Sequence, residues 1–323
     1  MISIISPILG NPSKVKTFIS SFLDNTQGQF KLLENIELII IDDGSEVNLK
    51  ETVKAFTQKF DERKWRLIFL RNEKNEGRAF SRNKAAKFAT CEWLFFVDID
   101  NLLQQGCLKK LYSIVLSSKV PLVVRANVRC WPKLTSTSNY LHYFDSRYLG
   151  SRYAGTVKIE YRYFASDAFL INKSVFDSLQ GFDESFRHYG CEDEEFGARL
   201  RAKNIPYFFC SDALLYDNDS PTLDRACARM IPYARYSVPI LIRKHPTIID
   251  KLLFPQAENL KNIKSAILKG VLYCANSIKF NEILRILLNK LDNRKKFKVN
   301  PVFYKVVLAM YYIKGYSKRN KND

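Results

Sequence analysis

Short apolar runs alternate with stretches of helical periodicity over the first 130 residues of the chain. Apolar residues dominate the runs at Ile2–Pro7, Leu38–Ile41 and Trp93–Val97, and acids directly follow the last two. A stripe at helical spacing follows the first run: Val15, Phe18, Ile19, Phe22 and Leu23. Strands that are apolar on both faces and alternate with helices are typical of a parallel sheet covered by helices on both sides.

Changes in this rhythm divide the chain into regions. Further helices are predicted at about 49–60, 78–89 and 107–117, with strands at about 65–71 and 120–126. After about Val128 the alternation ends, and the Tyr-, Ser- and Arg-rich stretch Trp131–Tyr163 predicts loops and irregular strands. We therefore expect a mostly parallel α/β domain over residues 1–220, with halves at 1–128 and 129–220. A helical extension is expected over 221–323.

The composition indicates a folded, basic protein. The chain has 323 residues, 46% of them hydrophobic, and a formal net charge of +18. From Arg243 to the C-terminus, 18 Lys and Arg stand against 5 Asp and Glu, so most of the excess charge belongs to the last quarter. Such a charge attracts polyanions, among them acidic lipid headgroups and acidic polysaccharides. No nucleic-acid-binding motif accompanies it, so no nucleic-acid partner is expected.

The cysteines and the N-terminal sequence indicate a compartment. Seven cysteines are scattered without a CxxC pair, which is typical of reduced thiols rather than of a disulfide framework or a zinc site. No basic start followed by an apolar run is visible at the N-terminus, and no stretch approaches about 18 apolar residues. We expect a cytoplasmic protein.

Two apolar stripes in the C-terminal region predict amphipathic helices. They consist of Ile263, Ile267, Val271 and Cys274, and of Ile283, Leu287 and Leu291. Apolar stripes beside Lys and Arg suit a helix that lies on an anionic membrane surface, so we expect peripheral association with the inner face of the cell membrane. Two alternatives stay open: the stripes pack on the α/β domain, or the basic surface binds an acidic polymer.

Two strands of the predicted sheet end in paired acids. Asp42 and Asp43 follow one strand, and Asp98 and Asp100 follow another. Ligands bind at the carboxyl ends of the strands in such sheets, so both pairs are expected at one site. Carboxylates suit a divalent cation, which can neutralise the charge of a phosphate-bearing ligand. For the second pair taken alone, a solvated turn after a strand is the alternative.

Four motifs stand in order on these predicted elements. They are IDDGS at 41–45, NEGRAFSRN at 75–83, DID at 98–100 and GFDESFRHYGCEDEEF at 181–196. Together they resemble the family 2 glycosyltransferases of the GT-A fold, and the last motif resembles the galactosyltransferase and chondroitin-polymerase type. The resemblance covers roughly residues 1–220. It implies a nucleotide diphosphate-sugar donor, a glycan acceptor, and Mn²⁺ or Mg²⁺ as cofactor.

The resemblance also implies a set of metal ligands. Asp100 is the expected direct ligand, and Asp98 is expected to hold the ribose or the metal shell. In many relatives a histidine further along the chain completes the shell. The matching stretch here, LLYDNDSP, has no histidine, so Asp217 is the expected substitute and Asp219 the second choice.

The nucleotide is expected to contact residues from three of the motifs and from the first strand. Asp42 would accept from the base, most often uracil, and Pro7 would line the base pocket. Asn75, Arg78 and Arg82 are expected near the nucleotide. The two arginines lie one helical turn apart and share a face, and guanidinium groups suit phosphate. A solvated helix face is the alternative for them.

The acceptor side is expected at the last motif. The resemblance implies that Asp193 is the base that deprotonates the acceptor hydroxyl and that Glu192 binds the acceptor or donor sugar. Ser166 and Asp167 fall where relatives touch either sugar, and Trp131 begins an aromatic set that could stack on sugar rings. The rest of this set is Tyr140, Tyr143, Phe144 and Tyr148. Ordinary core packing is the alternative for these aromatic residues.

These inferences converge on one function. We expect a metal-dependent, inverting glycosyltransferase that moves a hexosyl or N-acetylhexosaminyl group, with a uridine nucleotide as the favoured donor. The acceptor would be a growing surface glycan such as capsule, either lipid-linked or acidic. The alternatives are a retaining transferase of the same fold, a nucleotidyltransferase that makes nucleotide sugars, or a polyanion-binding module.

Overall fold

The structure is a computed structural model that describes residues 2–28, 35–219, 221–247, 280–292 and 298–318. It divides into two compact units. The first unit consists of Met1–Arg129, Tyr148–Arg187 and Glu192–Asp219. The second consists of Cys130–Arg147, His188–Cys191 and Ser220–Asp323.

Four parallel strands form one half of the sheet in the first unit. In sheet order they are β3 (Arg66–Arg71), β2 (Ile36–Asp42), β1 (Ile2–Ile8) and β4 (Trp93–Val97). β2 and β4 are buried along their whole length and β1 along nearly all of it, because helices cover both faces. The apolar runs in the sequence predicted this half of the sheet.

The other half of the sheet is antiparallel. Its strands are β5 (Asn101–Leu103), β6 (Val123–Cys130), β7 (Thr156–Lys158), β8 (Ala168–Asn172) and β9 (Tyr207–Asp217). β8 pairs antiparallel with β4 and β6, and β9 with β5 and β7. The expected α/β class is confirmed, but the sheet is mixed rather than mostly parallel. Parallel pairs need crossover units, and the strands after β4 do not follow a repeated strand–helix rhythm.

The described helices mostly match the predicted ones in the first unit. They are α1 (Pro12–Asn25), α2 (Lys50–Lys54), α3 (Thr57–Asp61), α4 (Arg78–Phe88), α5 (Cys107–Ser117), α6 (Pro132–Thr135), α7 (Asn139–Asp145), α8 (Lys173–Ser178), α9 (Glu192–Ala202), α10 (Leu223–Pro232), α11 (Val238–Lys244), α12 (Phe280–Asp292) and α13 (Pro301–Tyr316). The single helix predicted at about 49–60 is two short helices. The chain tightens between them, where the Phe56 amide donates to the Val53 carbonyl.

An aromatic core lies beneath α9 in the first unit. Phe96 stacks on Phe169 with ring centroids 4.8 Å apart, and Phe182 packs on Phe196 at 4.7 Å. Phe196 and Leu200 of α9 are fully buried. This packing fixes the helix whose first turn carries Glu192 and the residues after it.

The second unit contains helices where the sequence predicted loops. α6 and α7 lie within the stretch Trp131–Tyr163, and the hydroxyl of Ser138 caps α7 by accepting from the Leu141 amide at 3.0 Å. Tyr140 and Tyr143 are buried against Tyr304, with ring centroids 5.4 and 4.9 Å apart. The Ser138 cap was the signal for α7 in the sequence.

The structure describes only the second of the two apolar stripes predicted in the C-terminal region. The first, Ile263 to Cys274, lies outside the described residues. On α12 the buried positions are Leu284 and Leu288, whereas Ile283 and Leu287 are 61% and 50% exposed. The segment that forms α13 is largely core. No helix within the described part of the chain is both long and apolar enough to span a bilayer.

Candidate functional site

Asp98 stands at the carboxyl end of β4 within a network of arginine and backbone contacts. Its amide donates to the Asp167 carbonyl at 2.9 Å, which fixes the turn after the strand. Its Oδ1 accepts from Arg82 Nη2 at 2.7 Å, and Arg78 Nη1 lies 3.9 Å from its Oδ2. The structure therefore brings together three of the residues that the sequence assigned to the donor side.

Arg82 is the central cation of this group. Its side chain is only 1% exposed and lies over the Phe182 ring, with the guanidinium carbon 5.4 Å from the ring centroid. Nη2 is used by Asp98, but Nε and Nη1 are buried without a hydrogen-bond partner among the described residues. Buried donors of a guanidinium are costly to leave unpaired, so these two nitrogens, which carry three N–H groups, are available to a ligand.

Asn83, the next residue on α4, has a structural role that the sequence analysis missed. Its Nδ2 donates to the Phe182 carbonyl and its Oδ1 accepts from the Phe182 amide, both at 2.8 Å. Gly181 packs against the same side chain and has φ +68°, so an added Cβ would lie 2.4 Å from Asn83 Oδ1. In the motif NEGRAFSRN, the sequence analysis assigned a role to Arg82 but none to Asn83, which holds the start of the last motif in place.

Asp100 pairs with a lysine that the sequence analysis did not assign. Lys14 Nζ on α1 lies 2.8 Å from Asp100 Oδ1. Asp217 belongs to the same strand ends, because β5 and β9 pair Asn101 with Asp217 and the Asn218 amide donates to the Asp100 carbonyl at 2.8 Å. The position of Lys14 six residues after the first strand was the available signal.

The pKa of Asp217 reports the crowding of acids at this edge. Burial raises it most, and the nearby carboxylates of Asp219, Asp100 and Asp167 raise it further, to about 7. Within the residues that the structure describes, no three or more His, Cys, Asp or Glu side chains are gathered as a metal cage. Asp100 and Asp217 nevertheless offer hard oxygen donors, and a cation between such acids would relieve their mutual repulsion.

The IDDGS motif is engaged in local structure. Asp42 is fully buried, its Oδ1 accepts from the Ser45 amide at 2.9 Å, and Arg71 Nη1 lies 3.2 Å from its Oδ2. Asp43 shapes the loop before α4 by accepting from the Glu76 and Gly77 amides, both at 3.0 Å. Base recognition by Asp42 stays a prediction: Ser45 engages Oδ1, whereas Oδ2 is buried without a hydrogen-bond partner among the described residues.

The remaining two residues predicted at the nucleotide lie beside these loops. Pro7 is near the carboxyl end of β1, is partly exposed and pairs with Ile41 of β2. Asn75 Oδ1 accepts from the Gly77 amide at 3.1 Å, at the start of α4. Pro7 therefore lies near the strand ends, and Asn75 lies in the loop that precedes α4.

Glu192 and Asp193 begin α9 after a turn of unusual backbone geometry. Gly190 and Cys191 both have positive φ, +88° and +71°, a conformation that is uncommon for a residue other than glycine. Asp193 Oδ1 accepts from the Ser166 amide at 3.2 Å. The structure therefore joins the predicted base to one of the predicted sugar-side residues.

Burial and mutual repulsion make both acids harder to ionise. Burial, followed by the charge of Glu192 and with a smaller effect of Asp167, raises the pKa of Asp193 to about 7, and Arg82 opposes this rise. Burial also raises the pKa of Glu192, again against Arg82. Glu192 Oε2 is buried without a hydrogen-bond partner in the described structure. A carboxyl poised near neutrality is suited to general-base catalysis.

The acids that follow are not equivalent to this pair. Glu195 is 3% exposed and forms a bidentate pair with Arg199, whose Nε lies 2.7 Å from Oε1 and whose Nη2 lies 2.6 Å from Oε2. Arg199 Nη1 also donates to the Gly181 carbonyl at 2.8 Å. Glu195 is thus a structural acid, and the run of four carboxylates serves two purposes.

The other residues predicted to contact sugars lie in two different units. Asp167 Oδ1 lies 3.6 Å from Nη2 of Arg125, a buried arginine on β6 that the sequence analysis missed because it stands inside an apolar run. Trp131 lies in the second unit, at the N-terminus of α6. Tyr140 and Tyr143 are core residues of that unit, so the proposed stacking platform is wrong for these two.

Comparisons with known proteins show the family to which the chain belongs. The model of glycosyl transferase family 2 matches residues 3–180, and that of the N-terminal domain of galactosyltransferase matches residues 149–214. Chondroitin synthase of Pasteurella multocida is 25% identical over 314 residues, which cover 86% of this chain and 31% of that protein. The poly(ribitol-phosphate) beta-N-acetylglucosaminyltransferase TarP of Staphylococcus aureus is 34% identical over 124 residues, 38% of this chain and 35% of that protein. The chain thus spans about a third of the length of these relatives.

Solved structures with the same fold include a mannosyltransferase and the protein TarS. The mannosyltransferase PcManGT of Pyrobaculum calidifontis, solved with GDP-Man and Mn²⁺, matches with a TM-score of 0.57 and 13% identity over 98% of this chain and 88% of that one. TarS of Staphylococcus aureus matches with a TM-score of 0.52 and 16% identity over 95% of this chain and 55% of that one. These likenesses confirm the GT-A fold, and the family model covers more than half of the residues. The chain belongs to glycosyl transferase family 2.

Proposed function

We propose that the chain transfers a sugar from a UDP-sugar to a hydroxyl group of a growing surface glycan, with inversion at the anomeric carbon. The observation that carries the proposal is the charged group around Arg82. This buried cation donates to Asp98 at a strand end and opposes the rise in the pKa of Asp193, and two of its nitrogens have no hydrogen-bond partner among the described residues. A phosphate-binding cation and a candidate base therefore belong to one electrostatic network.

On the donor side, Arg82 would bind the diphosphate. Its free Nε and Nη1 supply charge-assisted hydrogen bonds to phosphate oxygens, and these are about twice as strong as neutral ones. Asp98 holds the guanidinium in place through Nη2. The residues therefore orient the leaving group before any bond breaks.

A divalent cation fits the acids at the strand ends. Asp100 and Asp217 would hold it, with Asp98 nearby, and Mg²⁺ and Mn²⁺ commonly bind one or two carboxylates together with substrate phosphates. When bound, the cation would neutralise charge that develops on the leaving diphosphate. Lys14 Nζ, 2.8 Å from Asp100 Oδ1, supplies positive charge to the same carboxylate.

On the acceptor side, Asp193 would take the proton from the attacking hydroxyl. The Ser166 amide orients its carboxylate, and a pKa of about 7 makes it an effective base at neutral pH. Glu192 Oε2, buried without a partner among the described residues, would accept a hydrogen bond from a sugar hydroxyl. Expulsion of the diphosphate on the opposite face of the anomeric carbon completes the inversion.

Membership of family 2 argues against a nucleotidyltransferase, and the intact acids argue against a purely binding role. A retaining transferase is the remaining rival. The acceptor would be lipid-linked or polymeric, and the basic C-terminal quarter would keep the protein at the cytoplasmic face of the membrane. This location is part of the proposal.

The test is a donor panel followed by analysis of the product. UDP-glucose, UDP-galactose, their N-acetylhexosamine counterparts and GDP-mannose are incubated with Mn²⁺, with Mg²⁺ or with EDTA, and release of the nucleoside diphosphate is measured. We expect release from one or more UDP-sugars, and loss of this release in EDTA. NMR of a transferred product should show the anomeric configuration opposite to that of the donor. Retention of the donor's anomeric configuration would assign the retaining mechanism. Preference for GDP-mannose would overturn the assignment of uracil as the nucleobase of the donor.

A further inference from the structure

Cations and aromatic rings alternate on one surface of the second unit. His188 stacks on Tyr236 with ring centroids 4.1 Å apart and 21° between the ring planes. The Arg235 guanidinium lies 5.0 Å from the centroid of the Tyr236 ring. The Arg229 guanidinium lies 4.9 Å from the centroid of the Tyr189 ring. These five residues are named the Arg–Tyr surface below.

The backbone beneath the Arg–Tyr surface is fixed. Ser237 Oγ donates to the Tyr189 carbonyl at 3.1 Å, and a Cβ on Gly190 would lie 2.3 Å from the ring of Tyr233. Tyr233–Ser237 form a π-helical turn, a rare conformation that is frequent at functional sites. The rings of Tyr189 and Tyr236 nevertheless remain 40% and 38% exposed. A rigid support with exposed rings is an arrangement that suits binding rather than core packing.

The positive charge of this surface is not consumed by the described part of the protein. The contacts of Arg229 and Arg235 there are with aromatic rings, not with carboxylates. Asp224, the one acid among residues 223–244, is bound by Arg285 and Asn289 instead. A guanidinium that stacks by its face keeps its N–H edge for a planar anion, to which it can donate two parallel hydrogen bonds.

The Arg–Tyr surface is tied to the proposed catalytic acids by the chain itself. Tyr189 precedes Glu192 by three residues, and three residues span at most about 10 Å. The positive φ values of Gly190 and Cys191 turn this short connection rather than extending it. Tyr189 is therefore close in sequence to the acids at the start of α9.

We propose that the Arg–Tyr surface binds an acidic saccharide, which is the acceptor of the reaction. The guanidinium edges of Arg229 and Arg235 take its carboxylate or phosphate groups. The exposed parts of the Tyr189 and Tyr236 side chains contact its sugar rings, since such side chains offer an apolar body and a polar tip. The inference rests on the proposed function for the role of the ligand, but binding itself can be measured without turnover.

The first experiment measures binding of the full chain by calorimetry at about 0.15 M salt, where distant charges are screened. The probes are polygalacturonate, which carries carboxylates, poly(glycerol phosphate), which carries phosphates, and neutral dextran. We expect one or both anionic polymers to bind and dextran not to bind. The double variant Arg229→Ala/Arg235→Ala should weaken that binding by about tenfold or more, the loss expected for a charge-assisted hydrogen bond.

A matched control separates this surface from the general charge of the protein. Lys109→Ala/Lys119→Ala also removes two positive charges, but from exposed positions in the first unit. Neither lysine forms an ion pair with a described residue. This variant should bind within about threefold of the wild type. Equal losses in the two double variants, or wild-type affinity in the arginine variant, would overturn the proposal.

Further variants test the chemistry of recognition. Arg229→Lys/Arg235→Lys keeps the charge but loses the planar fork, so intermediate affinity is expected. Tyr189→Phe/Tyr236→Phe should retain affinity that the corresponding Ala pair loses. An unchanged Tm and unchanged binding of UDP show that each variant is folded. If UDP-sugars are never turned over but acidic saccharide binding follows this pattern, the proposed function fails and the surface stands.

Anionic vesicles of phosphatidylglycerol are the last arm. Binding to vesicles that depends on Arg229 and Arg235, with no dependence of saccharide binding on them, would assign the surface to lipid and overturn the proposal. The reverse pattern supports it. The ratio of affinities for the carboxylate and phosphate polymers identifies which acidic saccharide the surface prefers.

Discussion

The guanidinium of Arg82 donates to the Asp98 carboxylate at 2.7 Å, and its charge also opposes the rise in the pKa of Asp193. One buried cation therefore influences both the proposed donor side and the proposed base. Arg82→Lys should weaken binding of UDP by about tenfold or more, because an ammonium group cannot donate to Asp98 and keep two planar donors for phosphate. Calorimetry with UDP measures the change. Arg78→Lys, at a side chain that is 52% exposed, is the control and should cost less.

Asp217→Asn is expected to lower affinity for Mn²⁺ and Mg²⁺ together with metal-dependent release of UDP. Asp100→Ala should remove both, since it deletes the expected direct ligand, and Asp98→Ala should be nearly as damaging. Asp212→Asn is the matched control, because Asp212 is an exposed acid on the same strand that pairs with Lys110. Binding of Mn²⁺ followed by electron paramagnetic resonance separates loss of metal from loss of donor. Wild-type Mn²⁺ affinity in Asp217→Asn would exclude it as a ligand.

Asp193→Asn should keep UDP binding and lower transfer by about 10²-fold or more, the usual cost of a lost general base. Glu195→Gln, two residues away, provides the contrast. Because Glu195 is buried in a bidentate pair with Arg199, its change should lower Tm rather than abolish the chemical step. Thermal unfolding and single-turnover transfer are measured for both variants. If the two variants change Tm and the transfer rate equally, the proposed division into a catalytic base, Asp193, and a structural acid, Glu195, is wrong.

The rate of transfer should depend on the ionisation of Asp193. Its carboxyl is protonated below a pKa of about 7, so the rate should fall about tenfold per pH unit below that value and level off above it. The rate profile is recorded with saturating donor and metal. An essentially flat profile between pH 5.5 and pH 8 would contradict the assignment.

The raised pKa of Asp217 has a consequence for the stability of the fold. A carboxyl whose pKa is higher in the folded than in the unfolded state stabilises the fold when protonated, and that contribution is lost as the pH rises from about 4 to about 7. Asp217→Asn removes this penalty. It should therefore raise Tm at pH 8 in EDTA by about 2–4 °C for a gain of about 1 kcal/mol. At pH 4 the variant and the wild type should unfold at similar temperatures.

The exposed apolar residues of α12 permit a test of membrane association. The full chain should float with phosphatidylglycerol vesicles at low salt, and Ile283→Ser/Leu287→Ser should reduce the floating fraction several-fold, since each change removes apolar surface from the interface. Leu116→Ser, at a leucine that is 71% exposed in the first unit, is the control. If the wild-type chain stays in solution with these vesicles, the membrane hypothesis is wrong.

The sequence predicted those parts of the fold in which local pattern and tertiary structure agree. The strand that ends at Val97 was visible because it is apolar on both faces, and the start of α1 because Asn11 caps it, with Oδ1 accepting from the Ser13 amide at 2.9 Å. α7 was missed because the Tyr-, Ser- and Arg-rich stretch that contains it was interpreted as loops and irregular strands. The antiparallel half of the sheet depends on which strands meet, and periodicity carries no information about that.

The candidate site followed the same division. Acids at strand ends were predictable, because the carboxyl ends of parallel strands meet at one edge. Lys14, Arg125 and the bidentate partner of Glu195 were not, because their roles depend on side chains distant in sequence. Asp42 shows a related limit: its type suits base recognition, yet Ser45 and Arg71 already engage it.

The paired hydrogen bonds between Asn83 and Phe182 bear on how the family 2 domain can be divided or recombined. They join α4 to a segment about one hundred residues later, next to the helix of the proposed base. A fragment that stops near residue 128 would keep Arg82 but expose the amide that anchors its helix. Chimaeras that exchange the nucleotide-binding half alone must therefore bring a matching residue at 83 and a matching Gly-Phe pair at 181–182. In this chain, α4 and the turn at 181–182 should therefore be exchanged together.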